Sequence, residues 1–320
     1  MFTVSEKNEL NERLCGGCNV VISTHKSPDG DAIGSAIALA QYLFQKGCLC
    51  TIAVPDDLPK NLKWIPGADQ ILLYTENAAE VKDAVANTDF IFSLDYNDLS
   101  RAGEIGPLIS ASNAQKVLID HHEDPKQFAD YVFHDATCCS TAQLVFDFID
   151  GFDDLNRIDM TMAIGIYVGL ITDTGSFRYP SVNARTHEIA SYLIDSGLKH
   201  EDVHEAIYGE NSINQLQLNG FAISERLELL QNGQVAVMYL EKQDLDRFKA
   251  EKGDTEGLVN KALSISGVKL AAFFREDKGL IKISFRSKGD VFVNALAKDN
   301  FGGGGHKYAA GGASRLNMND

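Results

Sequence analysis

The sequence has little positive charge. Its 29 Lys and Arg stand against 45 Asp and Glu, a formal net charge of −16. That balance excludes a protein tracking long nucleic acid through a broad basic groove. No opening stretch combines a basic end, an apolar middle and a small-residue cleavage site, so secretion is not expected and a cytoplasmic protein is. Long apolar runs are also absent. The nearest, MTMAIGIYVGLITDTG at 160–175, is interrupted by Gly and polar residues and is too short to span a bilayer. It reads as a buried helix, and no membrane partner is expected. There is no internal repeat, and low complexity is confined to Gly302–Gly305.

Cysteine is sparse: Cys15, Cys18, Cys48, Cys50, Cys138 and Cys139. The CGGC at 15–18 has the spacing of a redox motif or half a zinc site. It has no second Cys/His pair at zinc spacing and no thioredoxin-like context. Free thiols in a reducing cytoplasm are the expectation.

What remains is ordinary for a soluble globular chain: 320 residues, 44% hydrophobic and 23% charged. The length suits two domains. SEKNELNERL reads as a first helix with Ser5 as candidate cap. NVVIST, LCTIAV, DFIFSL and QKVLID are short apolar runs separated by polar or helical stretches, and Ile33, Ile37, Ala40 and Phe44 fall at helical period. Strands alternating with helices predict an α/β fold, a doubly wound parallel sheet covered on both faces. The expected domains are 1–190 for this sheet, a helical linker at 191–230, and a smaller α/β domain with a mixed sheet at 231–320. The active-site cleft is expected between the domains. Residues 269–320 carry 9 of the Lys/Arg but only 5 of the Asp/Glu. A basic end and an acidic body suggest that one holds an anionic ligand and the other holds cations.

Acid and imidazole gather where the apolar runs stop. His25, Asp29 and Asp31 follow VVIST, Asp95 follows FIFSL, Asp120, His121 and His122 close VLIDHH, and Asp173 ends the buried helix. In a doubly wound sheet such ends converge, and ligands bind there. Two carboxylates 4 Å apart repel by roughly 4 kcal/mol at an effective dielectric near 20. The group therefore requires protons or cations. A lone Asp29 or Asp31 reads equally well as a helix cap. The whole set, imidazole and carboxylate without thiolate, suits Mn²⁺, Fe²⁺, Co²⁺ or Zn²⁺. Six ligands suffice for two ions sharing a carboxylate, a pair fitted to phosphoryl hydrolysis.

Separately, four successive glycines allow close backbone approach and several N–H groups directed at one anion. No Lys-Ser/Thr follows, so this is not a P-loop. His306 after the glycines and Arg286 after KISF can add charge-assisted contacts to a phosphate. A flexible turn is the alternative. Phe177 and Tyr179 read as core aromatics or as a stacking platform for a base. Lys288, Lys298, Lys307 and Arg315 read as mostly solvated.

HKSPDGDAIGS, SLDYND, LIDHH and LITDTGSF resemble, in order and spacing, the four motifs of the DHH phosphoesterase superfamily. SFRSKGDVFVNALAKDNFGGGGHKYAAGG resembles its DHH-associated C-terminal domain, so the likeness runs from Val20 to Gly312. The two-domain length looks most like the nanoRNase branch, bifunctional oligoribonucleases and phosphatases of 3′-phosphoadenosine 5′-phosphate (pAp). The resemblance implies two divalent ions, usually Mn²⁺. His25 and Asp29 would hold the first, Asp31, His121 and Asp173 the second, and Asp95 would bridge them. Asp120 would orient the neighbouring ligating His, and His122 would face the phosphate, these two being the catalytic pair. Gly302, Gly303, Gly304, Gly305, His306 and Arg286 would bind substrate.

The expected activity is hydrolysis of dinucleotides to about five-mers, of RNA or DNA, and of pAp. A homodimer is compatible with this. Alternatives are a phosphodiesterase of linear or cyclic dinucleotides, a pyrophosphatase or exopolyphosphatase, and a non-catalytic nucleotide-binding module. The polyphosphate reading needs several converging Lys/Arg where GGGGH and one FRS stand. Filled ligand positions argue against a dead enzyme.

Overall fold

The computed structural model describes residues 3–14, 16–277 and 279–318. Cys15 lies outside them. The chain divides into two units, 1–210 and 211–320. Among the described residues no helix is long and apolar enough to cross a membrane.

The first unit opens with α1 (Val4–Arg13), β1 (Asn19–Ser23), α2 (Gly30–Gln45), β2 (Leu49–Val54), β3 (Leu72–Leu73), α3 (Tyr74–Ala86), β4 (Phe90–Leu94), α4 (Ile105–Ala111), β5 (Gln115–Asp120) and β6 (Tyr131–His134). The helices α5 (Thr141–Gly151), α6 (Met160–Asp173), α7 (Ala184–Asp195) and α8 (His200–His204) follow. The cap of α1 is Thr3, not Ser5: its hydroxyl accepts from Glu6 N–H while the Glu6 carboxylate returns to Thr3 N–H. This T-x-x-E box fixes the start two residues earlier than the apolar pattern suggests.

The six strands are all parallel, in the order β3-β2-β1-β4-β5-β6. Alternation along each strand sends side chains to two layers. Val20, Ile22, Phe90 and Phe92 pack in one core with residues of α2, α5 and α6. Val21 and Ile91 pack in the other with Val81 and Val85 of α3 and Ile105 and Ile109 of α4. Strand order reverses at the β1/β4 boundary, the place where ligands bind in open α/β sheets.

The expected linker at 191–230 is not a separate element. Ile189, Leu193, Leu198, Val203 and Ile207 belong to the first unit's core. Leu218 and Ala222 of α9 (Ile213–Glu225) belong to the second unit's. The helices are amphipathic and each buries its apolar face against a sheet domain. The second unit adds β7 (Leu227–Leu230), β8 (Val235–Leu240), α10 (Lys242–Arg247), α11 (Leu258–Leu263), β9 (Leu270–Asp277), β10 (Leu280–Ser287), α12 (Asn294–Phe301), β11 (Gly304–His306) and β12 (Ala309–Ser314). Its sheet, β11-β12-β10-β9-β8-β7, is mixed: only the β8–β9 pair is parallel.

Candidate metal centre

Four segments of the first unit carry acids and imidazoles to one place. β1 delivers His25. Asp29 caps α2: its Oδ1 accepts from Asp31 N–H at 3.1 Å and Ala32 N–H at 3.0 Å. The cap and ligand readings are therefore compatible, since Oδ2 remains for other partners. β4 ends at Asp95, whose backbone adopts a left-handed conformation, φ 64°. That is uncommon outside glycine, though Asp tolerates it better than most residues. Asp173 ends α6, which runs antiparallel to α2 in backbone contact. A Cβ on Gly34 would lie 2.2 Å from the Gly165 carbonyl oxygen, and one on Gly169 would lie 2.6 Å from Asp31 Oδ1. Only glycines permit this approach, and it brings Asp31 beside the end of α6.

The close groups of donor atoms in this unit include His25–Asp29–Asp95 and Asp31–His121–Asp173, each spanning at most 4.8 Å, and Asp95–Asp120–His122 beside them. His25 Nε2 lies 3.3 Å from Asp95 Oδ2 and 3.8 Å from Asp29 Oδ2. His121 Nε2 lies 3.5 Å from Asp95 Oδ1, 3.5 Å from Asp173 Oδ2 and 3.8 Å from Asp31 Oδ2. Two donors each about 2.1 Å from a shared ion stand about 3.0–3.4 Å apart for octahedral to tetrahedral angles, so the 3.3 Å pair lies within that range and the 3.5–3.8 Å pairs lie up to a few tenths of an ångström beyond it. The imidazole edges fit. Nδ1–H of His25 donates to the Lys26 carbonyl at 3.0 Å, and that of His121 to the Cys138 carbonyl at 3.3 Å. Each Nε2 lone pair is thereby left to face the carboxylates, as in metal-bound histidines.

Without a cation, protons offset part of the cluster's negative charge. Burial opposes a charge on His25, but its hydrogen bond to Asp95 and the nearby Asp29 carry its pKa up to about 9. His121 is likewise raised against its burial, by Asp95 and Asp173. Asp31 is pushed well above the usual carboxylate range by burial and by Asp95 and Asp173. Asp95 is held well below it despite burial, by hydrogen bonds from His121 and His25.

Asp120 does not orient His121. Its Oδ1 accepts Nδ1–H of His122 at 2.7 Å. Residues i and i+2 share one side of an extended backbone, whereas i and i+1 oppose each other. Burial keeps His122 below its ordinary pKa, hence neutral. Its backbone carbonyl accepts from His134 Nε2 at 2.6 Å. His134, Cys138, Thr141 and Ala142 escaped the sequence reading. Their one signal was Ser140, three residues before Gln143 at the start of an apolar helix, a cap pattern. Arg101 escaped as well. It is close enough to His25 and His122 to oppose a positive charge on either. Phe177 is partly buried and packs against the first unit's core, its ring 5.4 Å from His187 and 6.0 Å from Tyr167.

In the second unit, Arg286 of β10 and His306 of β11 both pair with Ala309 of β12, one from each side. All three therefore lie in one cross-strand row. The glycines do not form a single nest of N–H groups. Gly302 and Gly303 both turn N–H back to the Ala297 carbonyl, closing α12. A Cβ on Gly303 would strike the Gly311 carbonyl, whereas the space beside Gly304 is open. Gly304–His306 run as a strand beside β12, so alternate N–H groups there belong to the ladder.

Comparison with known proteins places this geometry. The family model described as the DHH family, N-terminal domain, matches residues 19–170, and the DHHA1 domain model matches 232–319. The bifunctional oligoribonuclease and PAP phosphatase NrnA of Bacillus subtilis is 27% identical over 310 residues, 95% of this chain and 92% of that protein. A crystal structure of an exopolyphosphatase-related protein from Bacteroides fragilis is 35% identical with a TM-score of 0.93, covering all of this chain and 94% of the other. The Mn²⁺ complex of RecJ from Thermus thermophilus shares the fold at 14% identity and a TM-score of 0.52, over 97% of this chain and 51% of RecJ.

Proposed function

From the premise that the chain belongs to the DHH family of phosphoester hydrolases, with a DHHA1 domain, we propose that it hydrolyses dinucleotides to about five-mers and dephosphorylates pAp, using two divalent ions, preferentially Mn²⁺. The observation that carries the reading is the placement of Asp95. One of its oxygens faces His25 and the other faces His121. In this reading His25 and Asp29 hold one ion, Asp31, His121 and Asp173 the other, and Asp95 joins them. Ions bound there supply positive charge to a phosphoryl oxygen and acidify water.

The protein's own groups do the rest. Nδ1–H of His122 is tied to Asp120, so a neutral ring presents its lone pair at Nε2. That atom takes a proton from the attacking water and returns it to the leaving oxygen, while Asp120 steadies the charged ring in between. Arg286, His306 and the outward N–H of the Gly304–Gly305 pair hold a phosphate that is not being cleaved, which orients the scissile one. The similarity to an oligoribonuclease and PAP phosphatase over nearly its full length supports this substrate class. The description of the Bacteroides protein favours a second reading, an exopolyphosphatase. A Mn²⁺-dependent hydrolysis panel of pAp, a dinucleotide, pyrophosphate and polyphosphate separates them. Turnover of the nucleotides alone is expected. Turnover of the inorganic substrates alone would refute the nucleotide reading.

A further inference from the structure

One segment that supplies no ligand grips three of the six ligand residues. The Cys138 carbonyl accepts from His121 Nδ1–H. Thr141 N–H donates to Asp31 Oδ2 at 2.6 Å, and Ala142 N–H to Asp31 Oδ1 at 2.8 Å. The Thr141 hydroxyl donates to Asp95 Oδ1 at 3.0 Å. Thr141 is fully buried and begins α5. That helix is anchored by its Ser140 cap, whose Oγ accepts Gln143 N–H at 3.0 Å. Thr141 thus addresses two carboxylates with two different donors, its main chain for Asp31 and its side chain for Asp95.

The terminal torsion of an aspartate has no steep staggered wells, so the plane of its carboxylate follows from what its oxygens bond. For Asp95 that plane decides whether one oxygen faces each group. We propose that Thr141 is the positioning residue of the dinuclear centre. Its hydroxyl holds Asp95 with Oδ1 turned to the Asp31–His121–Asp173 group, and so sets the affinity of that group for its ion. The proposal rests on the two-metal reading above. Losing a group that orients a ligand costs about 10–100-fold in metal affinity. The hydroxyl holds Oδ1, while Oδ2 keeps His25 beside it at 3.3 Å, so the larger loss falls on one of the two ions.

Calorimetric titration of chelator-stripped protein with MnCl₂ tests this without reference to turnover. Wild type is expected to bind in two events. Thr141→Val keeps the shape and removes the donor. One event should weaken about 10–100-fold and the other by less than about threefold, with Thr141→Ser restoring the first. Thr141→Ala, which also lacks the hydroxyl, carries the same comparison if valine prevents folding. A hydroxyl-free variant binding both ions as wild type does would overturn the proposal. So would a serine variant as weak as valine, which would assign the effect to the methyl group's packing. Wild type binding no Mn²⁺ would instead sink the two-metal reading itself.

Discussion

Raising the pH of the metal-free protein should unfold the first unit more easily, and His25 gives the size of the effect. Its pKa rises from 6.5 to about 9 in the folded chain. The folded state therefore retains a proton that the unfolded state releases across that interval. Stability from this proton is complete below pH 6.5 and is lost as pH climbs through about 9. At about 1.4 kcal/mol per pH unit, the loss is about 3 kcal/mol. The residue is 7% exposed, so solvent screening reduces the figure little. The single tryptophan, Trp64, lies in the first unit, so its fluorescence follows that unit alone in urea. With EDTA present, wild type should lose about 3 kcal/mol more between pH 6 and pH 9.5 than His25→Gln does. His121 titrates in the same direction and is common to both proteins, so the difference isolates His25. Saturating Mn²⁺ should reverse the sign, because cation binding displaces protons and strengthens as pH rises. Equal pH dependence in wild type and His25→Gln would refute the argument.

Three further outcomes are expected. Asp95→Asn retains a residue tolerant of the left-handed backbone but removes the shared charge. Elemental analysis should find fewer than two ions per chain, and turnover should fall by at least about 10³-fold (roughly 4 kcal/mol). Gly34→Ala places a methyl against the Gly165 carbonyl and should cost about 1–3 kcal/mol, lowering the thermal midpoint reported by Trp64. Arg286→Ala should cut kcat/KM for a dinucleotide by roughly 10- to 1000-fold. It should spare bis(p-nitrophenyl) phosphate, which has no second phosphate, and leave metal content unchanged.

Much of the first unit was legible because buried strands write themselves as apolar runs: β1, β2, β4 and β5 stand where NVVIS, LCTIAV, FIFSL and QKVLID stand. The two-residue β3 and the YVFH of β6 were not. One is too short for any period, and the other alternates buried and exposed without a continuous apolar run. The acids and histidines were legible because charge directly after such a run has few structural excuses. What one strand end cannot reveal is which groups meet from distant segments. The hold of Thr141 on Asp31 and Asp95 joins three elements far apart in the chain. The pairing of Asp120 with His122 was open to reading from the period of an extended chain, yet adjacency favoured His121. The glycine run signalled close approach correctly, but not that two of its N–H groups would finish a helix.

The backbone contact between α2 and α6 has a bearing on ion size. Where two helices meet through leucines, rotamer changes let them separate by fractions of an ångström. Gly34 meets Gly165 backbone to backbone and offers no side chain to adjust. In the two-metal reading proposed above, this contact should resist any widening between the Asp31 and Asp173 carboxylates. Oxygen ligands sit about 2.3–2.6 Å from Ca²⁺ but about 2.0–2.1 Å from Mg²⁺. A centre unable to widen should reject the larger ion by geometry, even though calcium carries the same charge and prefers the same oxygens.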